Sequence, residues 1–158
     1  YKAHMKTPLG IARIVSDDTA ILEISVLDDD ALYTDTEQIP EILQDGLTQL
    51  HEYFDGIRTN FELPLAPKGT DFQQKVWKGL NEIPYGKTCS YLDLSKRLGD
   101  VKAIRAVAAA NGKNPLWIVT PCHRVIGSNG SLTGYAGGLW RKKWLLAHES
   151  PAKQQSLF

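Results

Sequence analysis

The segment Pro121-Cys122-His123-Arg124-Val125 lies between the apolar run 116–119 and a glycine-rich stretch that begins at Gly127. A cysteine beside a histidine places a nucleophile and a base in one segment, and the preceding proline fixes one backbone dihedral on the approach to the cysteine. The alternative is that Cys122 is a small buried hydrophobic residue, as free cysteines often are. The residues around it favour a reactive cysteine.

Two helices are predicted upstream, over about 90–98 and 101–111, and Gly99-Asp100 joins them. Two helices joined by a tight glycine turn form a helix-turn-helix. The second helix is rich in alanine and carries Arg105 as its one long cation near the middle, so it can pack closely on its neighbours or enter a narrow groove. Residues 87–124 contain seven Lys and Arg but only two acidic residues, which indicates nucleic-acid contact.

Downstream of Cys122, five glycines surround Tyr135 (Gly127, Gly130, Gly134, Gly137 and Gly138). Such glycines let a backbone approach a ligand closely, or they form a mobile loop. A last helix is predicted over about 139–148. Its predicted apolar set is Leu139, Trp144, Leu145 and Leu146, and the predicted outward-facing cations are Arg141, Lys142 and Lys143.

The first half reads as a small sheet with a helix across it. Strands are predicted over 7–16 and 20–27, with Leu22, Ile24 and Val26 on one face of the second strand. An acidic turn is predicted at 28–30. A helix opens at Pro40, and its predicted buried stripe is Ile42, Leu43, Leu47, Leu50 and Phe54. Tyr1-Lys2-Ala3-His4, before the only methionine, is interpreted as an expression remnant.

A proline-punctuated connector over 61–67 separates the halves, so the predicted domains are 5–67 and 68–150, followed by a tail over 151–158. Thr70-Asp71-Phe72-Gln73 is a capping box that opens the second domain, and Phe72 is placed on the apolar face of its helix.

Charge differs sharply between the two halves. Residues 1–67 contain four Lys and Arg against thirteen Asp and Glu, whereas residues 68–158 contain fourteen against five. The basic second half favours a polyanionic partner, or it is a solvated face that docks on the acidic half. Two cysteines, no signal-like N-terminus and no apolar run long enough for a membrane span predict a cytoplasmic protein without membrane contact.

Six motifs of the second half resemble those of the methylated-DNA–protein-cysteine methyltransferases, which are the O6-alkylguanine-DNA alkyltransferases. They are Ser90-Tyr91, the alanine-rich helix with Arg105, Asn114-Pro115, Pro121–Val125, Gly134-Tyr135-Ala136-Gly137-Gly138 and Trp144-Leu145-Leu146-Ala147-His148-Glu149. The resemblance covers residues 70–149 in order, while 1–67 agree only in general layout. It implies an α+β fold with two subdomains, an N-terminal small β-sheet plus helix that is ribonuclease H-like and a C-terminal mostly helical domain with a helix-turn-helix.

The resemblance implies direct repair of double-stranded DNA that carries O6-alkylguanine. Cys122 is then the alkyl acceptor, His123 takes the thiol proton through a water, and Glu149 orients and charges that histidine. Asn114 hydrogen-bonds in the turn that presents the cysteine. The product is a stable thioether, so each molecule acts once, as a monomer and without a cofactor. Whether O4-alkylthymine is also accepted stays open.

The substrate guanine has to leave the base stack to reach a buried thiol. The residues that the resemblance assigns to substrate and DNA binding are Tyr91, Arg105, Arg124, Val125, Tyr135, Ala136 and Gly137. Among them, Arg105 fills the vacated stack, Tyr91 donates a hydrogen bond to the base ring and Tyr135 forms a wall of the base pocket. The position of Ala136 is often serine in relatives, so a hydroxyl near O6 is absent here.

Two further functions remain open from the sequence. Alkyltransferase-like proteins keep the fold, replace the reactive cysteine and only bind lesions, which the presence of Cys122 argues against. A Cys/His hydrolase with Asn114 as the orienting residue leaves the basic helix-turn-helix unexplained. The first half lacks the Cys and His set that binds a structural zinc in some relatives, so no metal is predicted.

Overall fold

The computed structural model describes residues 1–28, 33–132 and 134–150. Most of the predicted turn at 28–30 and all of the predicted tail at 151–158 therefore lie outside the described residues. The chain forms two compact units, one of residues 1–68 with 115–119 and one of residues 69–114 with the residues from 120 onward. Within the described ranges, no helix combines the length and the apolar character that crossing a bilayer requires.

The first unit is built on an antiparallel sheet in the order β1-β2-β3, with β1 at Lys2–Thr7, β2 at Gly10–Ser16 and β3 at Ile21–Leu27. Residues 1–4 were interpreted as an expression remnant, but residues 2–4 form part of β1, where Ala3 is fully buried and pairs with Ile14. The predicted strand over 7–16 was also too long at its start. Thr7 ends β1, and Gly10 begins β2 with a φ of 130° that favours glycine.

Strand β3 buries a different set of side chains from the one predicted. Ile21 and Ile24 are buried, whereas Leu22 and Val26 are only half-buried. The register explains the difference, because Glu23 pairs with Val15 while Ile21 pairs with the next β2 residue, Ser16, so Leu22 is an extra residue in β3. Such a bulge shifts the alternation of faces by one residue, and periodicity alone does not reveal it.

Helix α1, Glu41–Phe54, lies against this sheet, and its buried residues are Leu43, Gly46, Leu50 and Tyr53. The predicted stripe was right at Leu43 and Leu50 but wrong at Ile42, Leu47 and Phe54, which are half-buried. The buried face of α1 is centred on Gly46, where a Cβ atom would lie in ordinary contact distance, 3.5 Å, from the side chain of Ile21.

Residues 115–119 belong to the first unit, although the sequence placed them in the second domain. Ile24 donates its N–H to the carbonyl of Pro115 at 2.8 Å, and Trp117 donates to the carbonyl of Ile24 at 3.0 Å, so the segment extends the sheet beside β3. It ends in a tight turn at Ile118, whose φ is 71°, with Val119 donating to the carbonyl of Trp117 at 2.8 Å. A β-branched residue in this region is strained.

The described residues of the second unit form four α-helices and one short parallel strand pair. The helices are α2 at Asp71–Leu80, α3 at Tyr91–Arg97, α4 at Ile104–Gly112 and α5 at Leu139–Glu149, and the strands are β4 at Cys89–Ser90 and β5 at Val125–Ile126. The capping box of α2 is confirmed by reciprocal hydrogen bonds between Thr70 and Gln73. Phe72 is exposed, contrary to prediction.

Helix α5 departs most from its predicted faces. Arg141 is 4% exposed and Lys142 is fully buried, whereas the predicted core residue Leu139 is exposed. Lys142, Leu145 and Glu149 follow the spacing of one helical face, and all three are buried. Charged side chains are rarely buried, so the composition predicted exposed positions for Arg141 and Lys142.

Candidate active site

Cys122 begins a short 3-10 turn over Cys122–Arg124 that leads directly into β5. Its N–H donates to the carbonyl of Thr120 at 2.8 Å, and the side-chain amide of Asn114 donates to the same carbonyl at 2.7 Å. The side-chain amide of Asn111, in α4, donates to the carbonyl of Cys122 at 3.4 Å. Asparagine side chains therefore hold the turn on both sides of the cysteine.

Cys122 is 8% exposed as a residue and lies in the hydrophobic core of the second unit. Burial raises the pKa of Cys122, and this effect outweighs hydrogen bonds with Asn114 and Tyr135 and the charge of Lys142, which all lower it. The resting thiol is consequently protonated at neutral pH, and it needs a base before it can act as a nucleophile.

His123, the adjacent residue, is fully buried and its Nε2 lies 2.8 Å from Oε2 of Glu149. Burial lowers the pKa of His123 below 6.5, although the carboxylate of Glu149 works in the opposite direction. The ring is therefore neutral at pH 7. With Nε2–H donating to the carboxylate, Nδ1 keeps its lone pair, and it has no hydrogen-bond partner among the described residues. Nδ1 is thus the atom that can accept a proton.

Glu149 is held by two residues at once. Arg124 donates from Nε to Oε1 at 2.8 Å and from Nη2 to Oε2 at 3.1 Å, while its Nη1 donates to the carbonyl of Ile83 at 2.7 Å. Burial alone would raise the pKa of Glu149, but the hydrogen bonds from His123 and Arg124 lower it to about 2. The carboxylate is therefore charged, and a bidentate guanidinium fixes its orientation.

This geometry argues against a DNA contact through the side chain of Arg124. Its side chain is 8% exposed and is committed to Glu149 and to the main chain of Ile83. It cannot reach a DNA surface while it keeps these bonds. The side chain of Val125 is likewise fully buried, so only its main chain is left for the predicted contact with a base.

A cavity of about 690 Å³ lies in the same unit, and two of its lining residues, Tyr91 and Tyr135, pack against the core cluster that contains Cys122, although Cys122 is not itself a lining residue. Its lining residues are Tyr91, Ile104, Arg105, Ala108, Ala109, Gly112, Lys113, Gly134, Tyr135 and Ala136. Four of the predicted substrate residues therefore line one cavity. The exposed Arg105 and the two alanines come from α4, whose small side chains leave the cavity open. Gly137 is not among the lining residues, and its carbonyl accepts a hydrogen bond from Arg141.

Two buried polar residues of the site were missed. Lys142 lies with its Nζ 5.9 Å from the ring centre of Tyr91, and its charge interacts with Cys122; burial lowers the pKa of this lysine. The signal was its helical spacing from Leu145 and Glu149. Asn111 follows Val107 by four residues on the buried face of α4. No group of three potential metal-ligating side chains comes together in the described part of the chain.

Two family sequence profiles match the chain. The profile of the 6-O-methylguanine DNA methyltransferase DNA-binding domain matches residues 71–151, and that of the ribonuclease-like domain of the same protein matches residues 1–67. The chain belongs to the 6-O-methylguanine DNA methyltransferase family. This confirms the predicted resemblance and, with the architecture described above, the predicted fold class.

Individual members of this family match nearly the whole chain. The methylated-DNA–protein-cysteine methyltransferase of Mycolicibacterium paratuberculosis is 42% identical over 151 residues, which cover 92% of each chain. The crystal structure of Mycobacterium tuberculosis O6-methylguanine methyltransferase is similar with a TM-score of 0.82 at 37% identity, covering 100% of this chain and 99% of that one. The structure of Mycobacterium tuberculosis OGT in complex with DNA is similar with a TM-score of 0.81 at 38% identity, covering 98% of each chain.

Proposed function

We propose that this protein repairs DNA by transferring the alkyl group of O6-alkylguanine to the sulfur of its own Cys122. Family membership supports the reaction class. The observation that carries the assignment to this residue is the buried chain of contacts that follows the thiol: neutral His123, the charged carboxylate of Glu149 and the guanidinium of Arg124. A nucleophile, a base and an orienting group in succession are the parts that activation of a protonated thiol requires.

The proposed alkyl transfer begins with deprotonation of Cys122. Nδ1 of His123 takes the thiol proton through a water, and the thiolate attacks the first carbon of the alkyl group. The carbon–oxygen bond breaks with its electron pair on O6, and the departing guanine takes up a proton. Tyr91, in the wall of the cavity, is the proposed donor to the base ring. The resulting thioether has no route back to a free thiol, so the protein acts once.

Duplex DNA carrying O6-alkylguanine is the proposed substrate. A base inside the stack cannot reach the thiol of a buried cysteine, so the damaged nucleotide has to swing out into the cavity. Arg105 is exposed on α4 at the rim of this cavity, which suits the proposed insertion into the vacated stack. The excess of basic residues in the second half supplies the attraction to phosphate.

The presence of Cys122 with a base beside it argues against the alternative of a protein that only binds lesions. Monomeric action and a cytoplasmic location stay predictions. The location is supported by the chemistry, because Cys122 has to remain reduced, and both cysteines are free thiols.

Intact-mass measurement after incubation with duplex DNA containing one O6-methylguanine tests the proposal. We expect the unmodified chain to gain one methyl group, located on the peptide that contains Cys122. Cys89→Ser is the matched control, since it removes the other buried thiol and should leave the gain unchanged. Cys122→Ser should gain nothing. An unmodified mass after prolonged incubation, or a methyl group on Cys89, would overturn the proposal.

A further inference from the structure

The residues between Tyr135 and Gly138 form a tight turn immediately before α5. Gly138 donates its N–H to the carbonyl of Tyr135 at 2.9 Å, and the first turn of α5 follows with Arg141 donating its N–H to the carbonyl of Gly138 at 3.1 Å. A third hydrogen bond, which we call the tie, comes from a side chain. Nη1 of Arg141 donates to the carbonyl of Gly137 at 2.7 Å.

Arg141 is 4% exposed, and the surrounding residues fit closely around it. The ring of Trp140 covers its guanidinium at 4.6 Å from the ring centre, within cation–π distance. A Cβ atom on Gly137 would lie 3.4 Å from the Arg141 side chain and 3.2 Å from Tyr135. Trp140 itself is 56% exposed, so it shields the guanidinium from water as a surface cover.

This tie matters because the turn carries part of the proposed base pocket. Tyr135 and Ala136 line the 690 Å³ cavity, and Tyr135 packs against the core cluster that contains Cys122. The turn contains two consecutive glycines, and Gly138 has a φ of 96°. Glycine loses more conformational freedom on ordering than any other residue, so this turn is costly to hold in one shape.

We propose that Arg141, covered by Trp140, is a positioning residue that holds the Tyr135–Gly138 turn in its substrate-binding shape before the base arrives. The inference rests on the proposed function and adds a determinant of substrate affinity to it. With the tie in place, the turn is ordered in the free protein. Without it, the ordering cost falls on substrate binding, which weakens binding but leaves the chemical step of the bound complex largely intact.

Single-turnover reaction with free O6-benzylguanine separates binding from chemistry, since the half-saturating concentration and the limiting rate constant are measured independently. For Arg141→Met we expect the half-saturating concentration to rise roughly tenfold, the size that follows from losing one charge-assisted hydrogen bond, with a limiting rate constant within about twofold of the unmodified protein. Lys143→Met is the matched control, because it removes the same charge from an exposed neighbouring position. It should match the unmodified protein in both constants.

Trp140→Ala removes the cover without removing the hydrogen-bond donor, and it is an exposed position where folding is not at risk. We expect a smaller rise in half-saturating concentration, about threefold, since water then competes for the guanidinium. Unchanged half-saturation in both variants overturns the inference, and so does a lower limiting rate constant at unchanged half-saturation. Failure of the unmodified protein to consume O6-benzylguanine would instead count against the proposed function.

Discussion

The ion pair between Glu149 and Arg124 predicts a specific loss of stability in acid. The pKa of Glu149 is lowered from the usual 4.5 to about 2, because hydrogen bonds from His123 and Arg124 outweigh burial. A carboxyl group with a lowered pKa in the folded state adds stability above its unfolded pKa, and this stability is lost as the pH falls through the folded pKa. The lowering corresponds to about 3 kcal/mol of unfolding free energy, lost between about pH 5 and pH 2.

Urea unfolding followed by circular dichroism at a series of pH values measures this contribution. The unmodified chain should lose about 3 kcal/mol more than Glu149→Gln over the acid range, because the variant has no carboxyl group to protonate. Glu82→Gln is the control, since it removes an exposed carboxylate of the same unit.

Removing Glu149 also leaves Arg124 buried without its carboxylate, which is destabilising at every pH. A direct titration avoids this difficulty. The carboxyl carbon of Glu149 in the unmodified chain, followed by NMR, should titrate near pH 2. A midpoint above about pH 4, close to the ordinary value for glutamate, would refute the reasoning.

Three further outcomes test the proposed mechanism. Cys122→Ala should abolish alkyl transfer but keep the affinity for DNA, which gel-shift titration measures; loss of binding would contradict it. Arg105→Ala should slow repair of duplex DNA at least tenfold more than reaction with free O6-benzylguanine, because only the duplex has a stack to refill; equal losses would argue against insertion. Because burial lowers the pKa of His123 from 6.5, the fall of the transfer rate in acid should be centred below pH 6.5, and a fall centred above pH 7 would exclude this histidine as the base.

The sequence pointed to the candidate catalytic residues more clearly than to the buried residues that contact them. Cys122, His123 and Glu149 belong to recognisable motifs, and the structure brings the last two within hydrogen-bonding distance. Arg124 and Lys142 are long cations, which lie at the surface in most proteins, so composition gives no reason to bury them. Only the partners explain their burial, and a partner 25 residues away in sequence, as Glu149 is from Arg124, cannot be derived from local patterns.

The same limit applies to the fold. The capping box at Thr70 was predictable because its two partners lie three residues apart and the bonds are local. The bulge at Leu22 was not, because it is defined by the pairing of β3 with β2. Gly46, on the buried face of α1, was missed for a similar reason, since a glycine has no side chain that marks a face in the sequence and its burial depends on another element.

The burial of the candidate site makes the protonation states of Cys122 and His123 depend on their charged neighbours. Burial keeps Cys122 protonated and His123 neutral, so neither residue carries a charge at rest in the core. In the proposed step, moving the proton would create a thiolate and an imidazolium together, and two new charges in a buried site are costly unless each has a partner. Glu149, already ionised and fixed by Arg124, would then face the imidazolium, and the charge of Lys142 would act on the thiolate. Under this proposal the cost of activation depends on residues that never touch the alkyl group, and Arg124 would act on the reaction from within the core.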